Sequence, residues 1–398
     1  MIQRKQRRAR HAAWTVQDVA GGAVGVTRPA FFPFFSTLLV MSIACAPSQV
    51  LNWKPLAPLP DATGFAGSFA GVSGEALIVA GGANFPGAMP WEGGRKVWHD
   101  SIFVLPRADG QWLSGFKLPR PAAYGVSITT SDGVLCAGGS DAREHFHDVF
   151  LLRWANGRIQ SEPLPPLPRP MANGCGALLG RTVYLAGGTE KPDATNALRV
   201  FWALDLSELR PRWRELEPWP GPARMLAVAG GGAASRLSPA GIDESETGAT
   251  PVMRGKDAFF LFSGVDLSGD ANGRPVRRYL KDAYRFAPGK GWNRIADLPR
   301  AVVAAPSPAV EHHGRLLVFS GDDGELVNFE PKSAHPGFPK SVLAYDRRAN
   351  KWTSLAESPL SRATAPVVKW QDMAVIPSGE ARPGVRSPEV WAVHPAVR

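Results

Sequence analysis

Cysteine is scarce, with three residues in a chain of 398, and tyrosine is nearly as rare, with five. Cys136 and Cys175 each fall in an apolar, strand-like pattern, so they read as small buried hydrophobes and not as a disulfide framework. No G-x-x-x-x-G-K loop, C-x-x-C pair or nucleophile elbow is present, which removes the usual signals for nucleotide, redox-dithiol and serine-hydrolase chemistry. Uninterrupted helix-forming sequence is also missing. The chain carries 42 glycines and 37 prolines, which punctuate it too often for helix bundles or coiled coils. Charged residues make up 20% and apolar residues 44%, a globular balance and not a disordered one.

No apolar run reaches the roughly 20 residues of a membrane-spanning helix. The run from Ala30 to Ala46 is shorter and contains Pro33. It follows a basic start (Arg4, Lys5, Arg7, Arg8, Arg10) and ends in Ser42-Ile-Ala-Cys45-Ala46, which reads as an export signal over residues 1–46. Cys45 suits a lipoprotein cleavage box and Ala44-x-Ala46 an ordinary signal peptidase, so a lipid anchor through Cys45 and soluble export both stand. The expectation is an exported protein, periplasmic or anchored at the outer membrane. Residues 1–44 carry half of the formal net charge of +10. The high pI is therefore half a targeting feature, and no nucleic-acid partner is expected.

Internal repetition decides the fold of residues 47–398. A short apolar run ending in a small-Gly pair recurs six times, at Gly81-Gly82, Gly138-Gly139, Gly187-Gly188, Ser263-Gly264, Ser320-Gly321 and Ser378-Gly379. Most copies are followed by a second apolar strand, as in Asp148-Val-Phe-Leu-Leu and Asp282-Ala-Tyr-Arg-Phe. A Trp-centred strand comes next, at Trp112, Trp213, Trp292 and Trp352, with Trp154 less regular. Then an Ala/Gly/Val-rich strand leads into the next pair. Residues 51–398 thus divide into six units of about 58 residues, close to a kelch-type period of about 50 with loop insertions. The predicted fold is all-β, a six-bladed kelch-type β-propeller. The Trp53 strand has no preceding partners and the strand at Trp391 has no successor, so the N-terminal strand is expected to complete the last blade and remove the open edges.

In such a meander the 4–1 and 2–3 loops share one face. Arg120, Arg169, Arg224, Arg300 and Arg362 recur there just ahead of strand 1. They would ring the channel mouth as an anion-attracting field; the alternative is a framework role on neighbouring-blade carbonyls. The 2–3 loops add Asn84, Asp141, Glu190, Asp266, Asp322, Asp323 and Glu380. The first of these loops (residues 83–98) is long and combines Phe and Trp with Asn and Lys, which suits a sugar-like ligand or makes a packed lid. Residues 231–257, with Glu244 and Glu246, form an insertion expected on the opposite face. His145-Phe-His147 matches a repeat position and no complete metal-ligand set is visible, so no metal is expected. His312-His313 reads as a solvated turn on the far face.

Asn52-Trp-Lys-Pro-Leu-Ala-Pro, Gly64-Phe-Ala-Gly-Ser-Phe-Ala-Gly71, Ala80-Gly-Gly-Ala-Asn-Phe85, Ala123-Tyr-Gly-Val-Ser127 and Ser378-Gly-Glu-Ala-Arg-Pro-Gly-Val-Arg386 resemble the N-acetylneuraminate epimerase (sialic acid mutarotase) family. The blade order is similar to that of its cyclically permuted branch. The resemblance implies interconversion of the α and β anomers of N-acetylneuraminate, with Glu380 as catalytic acid/base; the reaction needs no cofactor, because bonds only shift between oxygen and carbon, and the neighbouring cations make Glu380 a base first. The resemblance also implies Arg386 as the motif arginine, and Arg382 where the typical enzyme has lysine. Arg382, Arg386, Asn84, Arg120, Arg300 and Arg362 are the expected substrate-binding residues, and a homodimer is carried as an expectation. Two other readings stay open: a non-catalytic kelch module binding glycan or protein, and a mutarotase of another acidic or N-acetylated sugar.

Overall fold

The computed structural model describes residues 51–232 and 257–395. The expected export segment 1–46 with Cys45, and the body of the insertion with Glu244 and Glu246, lie outside the described residues. Among the described residues no helix is long and apolar enough to cross a membrane.

Six four-stranded antiparallel sheets form the blades. Their first strands are Phe69–Ser73, Val126–Thr130, Cys175–Leu179, Val228–Gly232, Val310–His312 and Val368–Trp370. Each blade has the same cause. Its second strand is a short apolar run that is buried on both faces, as in Ala76–Ala80 and Ala258–Phe262, because a sheet lies against each side. Six apolar clusters fill the six seams, one between each pair of neighbouring blades. Leu77, Phe103, Val375 and Trp370 pack between the sixth blade and the first, and Phe260, Phe262, Leu343 and Tyr345 between the fourth and fifth. Cys136 and Cys175 are free and buried in two of these seams. Burial pushes the Cys136 thiol up, and the Cys175 thiol up to about 12.

Closure occurs as the sequence suggests. Leu51–Leu56 is the outermost strand of the last blade and pairs with Val390–Pro395, with Trp53 opposite Val393 and Leu56 opposite Val390. Pairing these two strands in one sheet leaves no half-built blade among the described residues.

Two recurrent hydrogen-bond devices tie blades to their neighbours. The recurrent tryptophans donate their indole N–H to a carbonyl at the end of the preceding blade: Trp112 to Ala57, Trp213 to Pro165, Trp292 to Glu217 and Trp352 to Ala296, all at 2.8–2.9 Å. A bond of this kind is worth about 1 kcal/mol net. The small-Gly pairs form the second device. The N–H groups of Gly82, Gly139 and Gly188 donate to the carbonyls of Ala122, Met171 and Arg224 in the next blade. Gly321 and Gly379 donate in the same way to the carbonyls of Arg362 and Phe65, and there the serine of the pair accepts as well, Ser320 Oγ from the Arg362 N–H and Ser378 Oγ from the Phe65 N–H. At Gly138, with φ of +64°, a Cβ would overlap the Met171 carbonyl oxygen, so only glycine fits that approach.

His312 lies buried at the 1–2 turn of the fifth blade, and burial, with smaller contributions from His313 and Arg315, lowers its imidazole to about 4. The unfolded chain takes up this proton near the ordinary value of about 6.5. The contribution of His312 to stability is therefore complete above that pH and declines as the pH falls towards 4. Urea unfolding at pH 7 and pH 4.5 is expected to show a smaller loss for His312→Gln than for the wild type, by up to about 3 kcal/mol. Equal losses in the two proteins would show that the imidazole titrates alike in both states.

Candidate active site

The mouth of the channel is built from one residue per blade. Gly67, Tyr124, Asn173, Leu226, Ala304 and Thr364 each precede a first strand, and each has positive φ, between 49° and 67°. Their main chains close a ring of six hydrogen bonds. The Tyr124 N–H donates to the Gly67 carbonyl, Asn173 to Tyr124, Leu226 to Asn173, Ala304 to Leu226, Thr364 to Ala304 and Gly67 back to Thr364, at 2.6–2.8 Å. Five of the six are not glycine, and the left-handed conformation costs an ordinary residue about 1–2 kcal/mol. The closed ring offsets that cost and turns the five side chains around one axis. Gly67 has no side chain for a direct reason: a Cβ there would lie 2.5 Å from the ring of Tyr124.

The residue before each ring member bridges the residue after each small-Gly pair: Ala66 with Ala83, Ala123 with Ser140, Ala172 with Thr189, Met225 with Val265, Val303 with Asp322, and Ala363 with Glu380. This sixfold register places Glu380 at the mouth. It also separates the polar residues of the 2–3 loops into two sets. Glu380 and Asp322 occupy the bridging position, whereas Asn84, Asp141, Glu190, Asp266 and Asp323 come one residue later, and neighbouring residues of an extended chain point opposite ways. Asn84 is accordingly buried, donating to the Gly64 carbonyl at 3.0 Å and meeting His99 Nε2 at 2.8 Å.

Glu380 opens a short hairpin, Glu380–Arg382 paired with Val385–Arg386. Its side chain is 17% exposed. Oε1 accepts from the Gly384 N–H and from Arg386 Nη1, both at 2.7 Å. Among the described residues Oε2 meets only the Thr364 hydroxyl, at 3.4 Å. One oxygen is thus held by the framework and the other is left to accept a proton beside a ring residue. Arg386 is nearly buried. Its Nη2 lies 3.5 Å from the Tyr124 hydroxyl, its Nε lies 3.4 Å from the Ala83 carbonyl, and its guanidinium carbon is 5.0 Å from the Phe85 ring centroid. The long first-blade loop leans on the same hairpin, since a Cβ at Gly384 would touch Pro90 and Trp91. Lys96 from that loop stands over three rings, 5.2 Å from Tyr124, 5.5 Å from Trp98 and 5.9 Å from Phe85.

The recurrent arginines take the framework role. Arg224 is fully buried and donates to the Ser263 carbonyl and to both oxygens of Asp282 at 2.8–3.0 Å. Arg362, also buried, donates to the carbonyls of Ser361 and Ser378, to Ser387 Oγ and to Glu389. Arg300 donates to Ser341 Oγ and to the carbonyls of Ala301, Ser320 and Ser341. Arg120 pairs with Asp148 and Glu144 and lies over the Phe146 ring. Arg169 meets Glu190 at 3.7 Å. Arg382 turns towards the fifth blade's loop, donating to the Ser333 carbonyl at 2.9 Å. Of the residues expected from the sequence, Glu380 and Arg386 are brought together, and the other five are engaged in contacts between or within blades. Tyr124 and Thr364 were not singled out as site residues, and their signal was their common place just ahead of strand 1.

Comparison with known proteins adds the following. Residues 36–160 match a family model described as N-acetylneuraminate epimerase. Proteins of that name from Yersinia pestis (strain Pestoides F) and Vibrio cholerae are similar, at 37% identity over 130 residues and 38% over 125. The matches cover 29% and 27% of this chain, and 33% and 32% of those proteins. The chain therefore spans about a third of the length of the curated relatives it matches. A solved structure described as that of YjhT superposes with a TM-score of 0.57 at 13% identity, over 84% of this chain and 95% of the other, a likeness of fold. The resemblance read from the sequence is found again over residues 36–160. That stretch holds Phe85, Lys96 and Tyr124 and ends before Glu380 and Arg386.

Proposed function

We propose that this chain is an isomerase that interconverts the α and β anomers of N-acetylneuraminate, without a cofactor, at the mouth of the propeller channel. The observation that carries the reading is the pairing of Glu380 with Arg386 beside Tyr124 and Thr364. The family name borne by the relatives of residues 36–160 supplies the substrate class.

The chemistry asks little of the protein. A base takes the proton of the anomeric hydroxyl, its oxygen becomes the ketone oxygen, and the bond from the anomeric carbon to the ring oxygen breaks. The ring oxygen gains a proton. After rotation, the same hydroxyl adds to the other face of the ketone and the proton returns. Nothing is oxidised or reduced. Glu380 Oε2 is the oxygen placed to accept the first proton, and the carboxylic acid so formed, directly or through water, returns it to the ring oxygen. Arg386 holds the other carboxylate oxygen still while this happens.

Export through residues 1–46, with a lipid on Cys45 as one form of it, belongs to the same proposal and would place the enzyme where it meets free sugar.

Magnetisation-exchange proton NMR of purified protein with a set of sugars tests the reading. Saturable acceleration of anomer exchange is expected for N-acetylneuraminate, with little for glucose or N-acetylmannosamine. Acceleration of another sugar alone would reassign the substrate, and binding without acceleration of any would make the protein a glycan-binding module.

A further inference from the structure

We propose that Lys96 is the cation that receives the carboxylate of the sugar acid and so sets the preference of the site for an anionic substrate. The inference rests on the function proposed above.

Four cations lie in the loops around Glu380: Arg382 and Arg386 are already engaged, and Arg95 is exposed but, among the described residues, lies over none of the aromatic rings that surround Lys96. Arg386 is paired with Glu380 itself at 2.7 Å, so its charge is compensated inside the site. Arg382 donates to the carbonyls of Ser333 and His335 in the neighbouring blade's loop. Lys96 is exposed and, among the described residues, has neither a hydrogen bond nor an ion pair. The two acids nearest to it in the chain are turned elsewhere: Glu92 accepts from the Met89 N–H at 3.0 Å, and Asp100 pairs with Lys117.

The ammonium is nevertheless held in place. The rings of Tyr124, Trp98 and Phe85 surround its inner side at 5.2–5.9 Å, within the range of cation–π attraction. Aromatic faces attract the charge without accepting all three N–H donors, so donors remain for an incoming oxygen pair. The location suits the substrate as well. Tyr124 belongs to the ring at the mouth, and its hydroxyl is 3.5 Å from Arg386, while Phe85 lies under both Lys96 and Arg386. The carboxylate of N-acetylneuraminate is attached to the anomeric carbon, so the group that binds it must stand next to the group that moves the anomeric proton. Lys96 and Glu380 are linked through Tyr124, Phe85 and Arg386 in this way.

The test compares N-acetylneuraminate with its methyl ester, in which the ring is kept and the charge removed. The ratio of kcat/KM for acid over ester is measured by exchange NMR in the wild type, Lys96→Met and Lys96→Arg. In Lys96→Met that ratio is expected to fall about ten- to a hundredfold, the size of a hydrogen bond to a charged group, through KM more than kcat. Lys96→Arg is expected to recover most of it. An unchanged ratio, or an equal loss on acid and ester, overturns the assignment. If the wild type accelerates neither compound, the mutarotase reading fails by itself, and NMR titration of acid and ester still decides the role of Lys96. Tighter binding of the acid, lost in Lys96→Met, supports it, and equal affinities in the wild type overturn it.

Discussion

Replacing Glu380 by glutamine is expected to lower the rate of anomer exchange by about 10²–10⁴-fold, the usual contribution of a positioned acid–base group, while the sugar still binds. The substitution is chosen for what it keeps. A glutamine oxygen can still accept from the Gly384 N–H and from Arg386, which both reach Oε1 at 2.7 Å. The change falls on Oε2, which becomes an amide nitrogen with no lone pair for a proton. Exchange rates by proton NMR and affinity by titration, taken on the same variant, separate the two effects. Full activity in Glu380→Gln would remove the carboxylate from the mechanism, and loss of binding together with rate would make it a binding group.

The largest expected effect on stability lies elsewhere, at Arg224. Its buried guanidinium is the partner of Asp282, which also accepts from the Tyr284 hydroxyl at 2.7 Å. Burial works to raise the Asp282 carboxyl, but the bonds from Arg224 and Tyr284 outweigh it and hold the group below the usual carboxylate range. Burial and Asp282 together push the Tyr284 phenol up to about 12. Arg224→Met leaves a buried carboxylate without its cation and is expected to cost about 3–5 kcal/mol in urea unfolding at pH 7. The pH dependence gives a second reading. In the wild type the contribution of Asp282 is complete above the ordinary carboxylate range and is lost as the pH falls through its lowered folded value. In the variant the uncompensated carboxylate gains from protonation, so the gap between the two proteins is expected to narrow towards pH 4. A cost below about 1 kcal/mol at pH 7 would place this arginine among surface pairs of small effect.

The propeller was legible because every blade solves the same burial problem with the same residues. Six apolar runs ending in small-Gly pairs could only be second strands of equivalent sheets, and Trp53 without preceding strands pointed to closure. The pairing of Glu380 with Arg386 was legible for a similar reason, since both lie in one short hairpin. What the sequence did not convey was the direction of side chains on loops. The arginines ahead of strand 1 were expected to ring the mouth, yet the guanidinium groups of Arg224, Arg300 and Arg362 turn to the Ser263, Ser320 and Ser378 carbonyls, and those of Arg120 and Arg169 to carboxylates. Asn84 was grouped with Glu380 because both follow a Gly pair. A one-residue difference in register sends it inward to Gly64 and His99. The approach of Tyr124 to Arg386 spans 262 residues and three blades, and no local pattern records it.

The claim beneath all of this is that the sugar acid binds over the six-membered main-chain ring, on the face that carries Glu380. A crystal structure of the protein soaked with N-acetylneuraminate tests it most directly. Density is expected above Tyr124 and Thr364, with an anomeric oxygen within about 2.6–3.2 Å of Glu380 Oε2. Sugar bound on the opposite face, or against another blade with Glu380 untouched, would contradict it.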